Sequence, residues 1–196
     1  MSKLYFWYGA MNCGKTTHLL QVIHNYESQN MNTILLKSKH DSKGDDYVIS
    51  RLGIKKKVDV LVNTETNILE MIHGFLAEKG QIHCIMVDEV QFLKASHIDQ
   101  LLQVAVEYNI PVMCYGLRTD FRMDGFEGSS RLLELAHSIA EIKNICSCGK
   151  KATLNGRKIN GKFVFDGAQV VIDNQAEVEY EALCPKCFFA LKKASH

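Results

Sequence analysis

The chain has 196 residues, 46% hydrophobic and 23% charged, with a formal net charge of +1. That length suits one domain, or one domain with a small appendage, and the composition can supply an ordinary core. The near-neutral balance gives no bulk electrostatic reason to expect nucleic acid or an acidic membrane as a partner. No apolar run approaches the roughly 18 residues of a membrane span, and the N-terminus carries no signal-peptide pattern, so a soluble cytoplasmic protein is expected. Seven cysteines, an odd number, argue against a disulfide framework and for metal ligation or buried thiols.

Leu4 to Tyr8 is an apolar, aromatic run of strand length that stops at Gly9. Residues Gly9, Ala10, Met11, Asn12, Cys13, Gly14, Lys15 and Thr16 then satisfy the phosphate-loop pattern G-x-x-x-x-G-K-S/T at every fixed position. Leu19, Leu20, Ile23 and Tyr26 follow at helical spacing, so the motif has the strand, loop and helix it needs. Gly9 and Gly14 let the backbone curl until successive N–H groups face phosphate oxygens, and the helix N-terminus adds its positive dipole end. Lys15 can reach terminal phosphates, and the Thr16 hydroxyl can ligate magnesium. Cys13 lies inside the loop and is read as incidental.

Thr33 to Leu36 reads as a second strand, and His40 to Lys57 as a long polar loop whose lysine triplet, Lys55 to Lys57, forms a solvated face. Val58 to Val62 is a short strand. Ile68, Met71, Ile72, Phe75 and Leu76 fit a helix closed by Gly80. Ile82 to Val87 is a continuous apolar run of the kind found in parallel strands covered on both faces. Ser96 is the expected cap of the next helix, carrying Ile98, Leu101, Leu102 and Ala105. Pro111 to Gly116 returns to strand, Leu117 to Gly128 forms a loop, and a helix from Ser129 or Ser130 carries Leu132, Leu135, Ala136 and Ile139. Strands alternate with helices to about residue 142, the mark of an α/β parallel sheet. From about Asn144 the helical period disappears. Lys151 to Lys158, Lys162 to Asp166 and Ala168 to Ile172 read as short strands separated by glycines, a small β-rich appendage. The expected division is residues 1–142 and 143–196.

Asp88 ends the apolar strand and fits the carboxylate that holds magnesium through water, placed near Thr16 because parallel strands gather their C-terminal ends at one crevice. Glu89 beside it can take a proton from whatever attacks a γ-phosphate, either water or a substrate hydroxyl. Cys146-x-Cys148 and Cys184-x-x-Cys187 bracket the appendage, and four thiolates suit structural tetrahedral zinc. Cys84 and Cys114 sit in apolar strands as packing residues. The eight histidines fall in no ligand spacing. Phe121, Phe126 and Tyr180 are aromatics in loops or near strand ends that can stack on a base.

Taken together, GAMNCGKT, DEVQF from Asp88 to Phe92, GLRTDFRMDGFEGS from Gly116 to Ser129, the cysteine quartet and the segment from Val170 to Cys184 resemble the type II thymidine kinases, essentially end to end. The resemblance implies a RecA-like α/β domain with a zinc-bearing lasso domain. It implies transfer of the ATP γ-phosphate to the 5′-hydroxyl of thymidine, a homotetramer and feedback inhibition by thymidine triphosphate. It implies that Glu89 is the base, that Asp88 assists magnesium, and that Gln91 joins the phosphate loop at the ATP and magnesium site. Met11, Leu117, Phe121 and Phe126 would line the base pocket, and Val171, Ile172 and Tyr180 the lasso that closes over the nucleoside. Two places depart from the family pattern. Asp41-Ser42-Lys43 stands where the family often has Asp-x-Arg, leaving Lys43 or Arg51 as candidates for that arginine, and Asp173-Asn174 replaces a Gly-Gly pair. The competing readings are a kinase for another deoxynucleoside such as deoxyuridine, and a zinc-ribbon ATPase of the RecA type.

Overall fold

The computed structural model describes residues 1–40, 46–169 and 177–195. The sequence-based expectations at Asp41, Lys43, Val171, Ile172, Asp173 and Asn174 lie outside the described residues.

Apolar strands alternating with helices build the first half. The chain runs β1 (Leu4–Tyr8), α1 (Lys15–Glu27), β2 (Thr33–Ser38), a hairpin of β3 (Tyr47–Ile49) and β4 (Lys55–Lys57), β5 (Val60–Val62), α2 (Ile68–Lys79) and β6 (Cys84–Asp88). A single 3-10 turn, Val90–Phe92, leads to α3 (Ala95–Glu107), β7 (Val112–Gly116), α4 (Glu127–Leu135) and β8 (Ser138–Glu141). Six of these strands form one sheet in the order β5-β2-β6-β7-β1-β8, and every pairing in it is parallel. Side chains alternate across a strand, so each central strand feeds two cores. Leu4, Phe6, Ile34, Leu36, Ile85 and Val87 pack with α2, α3 and α4 on one face. Leu35, Cys84, Met86 and Tyr115 pack with Leu19, Leu20 and Ile23 of α1 on the other. The strand C-termini all open on one edge, and the loop from Gly9 to Gly14 leaves β1 there.

The second part is β9 (Asn144–Ile145), β10 (Lys151–Ala152), β11 (Leu154–Ile159), β12 (Lys162–Val164), β13 (Val178–Leu183) and α5 (Pro185–Ala194). Strands β12, β11 and β13 make an antiparallel sheet in that order, and β9 pairs with β10. Ala152, Phe165, Leu183 and Phe188 form its small core, which also takes in Ala10 of the phosphate loop.

Five local expectations are corrected. Residues 46–57 are not simply loop: β3 and β4 form a hairpin there, tied down where the buried Lys37 ammonium donates to the Tyr47 carbonyl at 3.1 Å. The lysine triplet is the outer strand of that hairpin, and its solvation hid the strand. Ser96 does not cap α3. The helix starts two residues earlier than that cap implies, after Lys94, where His97 Nδ1 accepts the Lys94 N–H at 3.3 Å and Glu127 accepts the Ala95 N–H at 2.8 Å. Helix α4 begins at Glu127, and Ile139 belongs to β8, the strand that completes the sheet beside β1. Ala168 and Gln169 are not in a strand. Helical structure does return after residue 144, as α5, with Pro185 at its first turn and Cys184 as its N-cap.

Candidate functional site

The site is assembled from the C-terminal ends of β1, β6 and β7 and from one face of β11. Gly9 has to be a glycine: a Cβ there would lie 2.4 Å from Cys13 Sγ and 2.5 Å from the Ile142 carbonyl. Asn12 and Gly14 take left-handed conformations, φ 64 and 87, which curl the loop before α1. Lys15 is buried, with its ammonium 3.0 Å from the Ala10 carbonyl and 3.7 Å from Cys13 Sγ. Cys13 thus packs against the loop it belongs to. Thr16 Oγ1 donates to Asp88 Oδ2 at 3.4 Å across a separation of 72 residues, so the loop hydroxyl and the strand-end carboxylate meet as the parallel sheet requires.

The chain turns sharply after Asp88. Glu89 sits at φ 49 and ψ 41, a left-handed conformation that costs a non-glycine residue on the order of 1–3 kcal/mol. Its N–H donates to Asp88 Oδ1 at 3.0 Å. Gln91, buried, donates from Nε2 to Glu89 Oε2 at 2.5 Å and accepts the Leu117 N–H on Oε1 at 3.1 Å. Both ends of this amide are therefore engaged with the neighbouring site residues. A Cβ on Gly116 would stand 2.6 Å from Gln91 Oε1, so the glycine at the end of β7 makes room for the amide.

Leu117, Phe121 and Phe126 follow β7 and are buried. Their loop is held by Asp120, whose carboxylate accepts the Arg122 N–H at 2.8 Å, the Asp124 N–H at 2.9 Å and the Arg122 guanidinium at 3.1 Å. Ser129 Oγ closes the loop base by donating to the Leu117 carbonyl at 2.5 Å. Phe126 meets Phe92 edge to face at 5.7 Å.

Strand β11 reaches over this edge. Asn155 Oδ1 accepts the Met11 N–H at 2.7 Å, and its Nδ2 donates to the Thr119 carbonyl at 2.9 Å. Asn144 Nδ2 donates to the Met11 carbonyl at 2.9 Å, and Asn12 Nδ2 donates to the Tyr180 carbonyl at 3.2 Å. A groove of about 340 Å³ runs between the phosphate loop and β13, with Met11, Asn12, Arg51, Lys158 and Tyr180 among its walls. Arg51 therefore stands beside the loop, on the segment between β3 and β4. Asn155, Asp120 and Arg157 were not singled out by the sequence. Asp120 lies within the segment from Gly116 to Ser129 but acts through local turn contacts, whereas Asn155 is marked only by its long-range partners.

Away from the groove, the thiols of Cys146, Cys148, Cys184 and Cys187 all lie within 4.8 Å of one another. Four sulfurs about 2.3 Å from a tetrahedral zinc ion stand about 3.8 Å apart, so the set fits that metal. Backbone N–H groups of Cys148 and Cys184 pull the Cys146 thiol down to about 6, and the Cys187 N–H lowers Cys184. Side-chain hydrogen bonds with the Cys148, Cys184 and Cys146 thiols push Cys187 up to about 12. Burial instead pushes Cys84 up to about 12 and raises Cys114, which keeps both as inert packing thiols.

A family model described as thymidine kinase matches residues 2–188. The chain belongs to the thymidine kinase family. It is 47% identical over 174 residues to "Thymidine kinase" of Xanthomonas campestris pv. campestris, covering 88% of this chain and 83% of that protein. It is 44% identical over 191 residues to "Thymidine kinase" of Streptococcus gordonii, covering 96% and 97%. With "Thymidine kinase" of Mannheimia succiniciproducens it shares 46% identity over 177 residues, 88% of each chain. Among solved structures, the Pif1 helicase from Candida albicans aligns at TM-score 0.44 and 13% identity, covering 74% of this chain and 36% of that one, a likeness too slight to bear on function. Membership of the thymidine kinase family makes the chain an ATP-dependent kinase. Among the described residues, no helix is long and apolar enough to cross a membrane.

Proposed function

We propose that the chain transfers the γ-phosphoryl group of ATP to the 5′-hydroxyl of thymidine, giving thymidine monophosphate and ADP. Family membership supports thymidine as the acceptor. The single observation that carries the chemistry is the meeting of Thr16 and Asp88, with Glu89 next in the chain and held by Gln91. In this reading the N–H groups from Gly9 to Thr16 cradle the phosphates and Lys15 neutralises charge on the terminal ones. Glu89 accepts the proton of the 5′-hydroxyl while that oxygen attacks the γ-phosphorus, and the β–γ bridging oxygen leaves with ADP. Thr16 and Asp88 would hold a magnesium ion, which supplies charge neutralisation across the phosphates. Met11, Leu117, Phe121, Phe126 and Tyr180 form the nucleoside pocket, and the cysteine quartet holds a structural zinc ion that braces β9 to α5.

The same reading divides the chain into a nucleotide-binding part, residues 1–142, and a zinc-bearing part, residues 143–196. It takes thymidine triphosphate as feedback inhibitor, because that molecule offers a nucleoside to the pocket and phosphates to the loop. It takes a homotetramer in the cytoplasm as the working form, with no nucleic acid partner. The test is to incubate the protein with ATP and thymidine and to follow nucleoside and phosphate together. Thymidine monophosphate formed one for one with ADP is the expected result. ADP appearing with free phosphate, dependent on DNA and leaving thymidine unphosphorylated, would contradict it.

A further inference from the structure

Arg157 on β11 is the bulkiest of the almost fully buried side chains among the described residues, with 2% of its surface exposed. A guanidinium in that position normally needs a carboxylate or a full set of acceptors. Here, among the described residues, no carboxylate forms an ion pair with it. Its Nη1 donates to the Ala168 carbonyl at 2.8 Å, its Nη2 donates to the Asp166 carbonyl at 3.0 Å, and its Nε has no hydrogen-bond partner among the described residues. What faces the charge is the ring of Phe121, whose centroid is 3.6 Å from the guanidinium carbon. That is a close stacked cation–π contact in a desolvated place, where such contacts are strongest.

The neighbours of Arg157 are site residues. It stands directly opposite Tyr180 in the β11–β13 register. Asn155, two residues earlier and so on the same face of the strand, binds the Met11 N–H and the Thr119 carbonyl. The clamped stretch is held a second time where Arg122 donates to the Gly167 carbonyl at 3.3 Å, and Arg122 is itself fixed by Asp120. Gly167 has φ 110, and a Cβ there would lie 2.9 Å from Arg157 Nη2. The chain at 166–168 is thus shaped around the guanidinium.

We propose that Arg157 is a positioning residue for the nucleoside: its guanidinium backs the Phe121 ring and locks residues 166–168 against it, setting thymidine affinity while leaving the nucleotide phosphates untouched. This rests on Phe121 being a wall of the thymidine pocket, as argued above. A ring stacked on a cation is fixed in place, so the cost of ordering that wall of the pocket is met before substrate arrives.

The experiment compares Arg157→Gln, Arg157→Lys and Gly167→Ala in the full-length, zinc-containing protein, measuring KM for thymidine, KM for ATP, kcat and zinc content. Arg157→Gln should raise the thymidine KM about tenfold or more and leave the ATP KM within about twofold. Arg157→Lys should recover part of the loss, since an ammonium keeps the cation–π contact but cannot fork to two carbonyls. Gly167→Ala changes an exposed loop residue, so it tests the clasp without threatening the core and should raise the thymidine KM in the same selective way. Combining Arg157→Gln with Phe121→Leu should cost little beyond Phe121→Leu alone, because the arginine acts through that ring. An unchanged thymidine KM in both Arg157→Gln and Gly167→Ala would overturn the proposal, as would a rise in both KM values together with loss of zinc. Should Arg157→Gln fail to fold, Gly167→Ala decides. If Phe121→Leu by itself leaves the thymidine KM unchanged, the pocket reading fails. If Phe121→Leu raises it and neither other variant does, only the role of Arg157 fails.

Discussion

Gln91 donates its side-chain amide to Glu89 Oε2 at 2.5 Å while accepting the Leu117 N–H on its other end at 3.1 Å. One buried amide therefore links the proposed base, at the end of β6, to the first residue after β7. It is placed to hold the Glu89 carboxylate in one orientation despite the strained backbone beneath it.

Removing that link should loosen the base more than it weakens binding. Gln91→Ala is expected to lower kcat by about tenfold or more, with KM for ATP and thymidine changing far less. Steady-state kinetics with each substrate in turn checks this; a KM effect for ATP with kcat intact would show that Gln91 serves the phosphates instead.

Lys15 is the one side-chain cation inside the phosphate loop, folded onto the Ala10 carbonyl at 3.0 Å. Lys15→Ala should abolish phosphoryl transfer and weaken ATP binding, because a point charge on the terminal phosphates is lost. Zinc content and thymidine binding should be preserved. Calorimetric titration with ATP and with thymidine separates these outcomes.

The strand–loop–helix at the N-terminus was readable residue by residue, since glycine, lysine and threonine at fixed spacing leave few alternatives. The parallel strands β2, β6 and β7 were readable because burial on both faces demands unbroken apolar runs. The β3–β4 hairpin was not, because its outer strand is a solvated lysine triplet that satisfies no hydrophobic period. Strand β8 was hidden by Ile139, which continues the helical spacing of Leu132, Leu135 and Ala136, and no glycine or proline marks the break at Ala136. Helix α5 was masked by its cysteines, although Pro185 at its first turn was a start signal. Arg157 and Asn155 carried no local sign at all: their meaning lies in partners from 9 to 144 residues away, which only the folded chain brings near.

The zinc cluster predicts one zinc per chain by elemental analysis. Structural zinc in isolated finger peptides supplies roughly 10–16 kcal/mol of apparent binding energy, and the four thiols tie the β9–β10 turn to the start of α5. Cys184→Ala should lose the metal and the activity, while the six-stranded domain keeps its cooperative unfolding. Active, freshly purified protein free of zinc would contradict the assignment.

Stability should also fall on mild acidification. Burial, with the Lys94 charge beside it, holds His97 below its ordinary value of 6.5, and its neutral Nδ1 accepts the Lys94 N–H at the start of α3. A lowered folded-state value means that the unfolded chain binds the proton first. The contribution is therefore complete above about 6.5 and is lost as the pH falls through the lower folded value. His97→Gln should flatten the decline in melting temperature between about pH 7 and 5.5, read by calorimetry at several pH values.

The central claim is that Glu89 is the general base for the nucleoside hydroxyl. Glu89→Gln keeps the size of the side chain but cannot accept the proton. Thymidine monophosphate formation and thymidine binding should be measured side by side in this variant. Turnover should drop by about 10²–10⁴ while ATP and thymidine bind with near-normal affinity. Turnover within a few-fold of the unaltered enzyme would contradict the account.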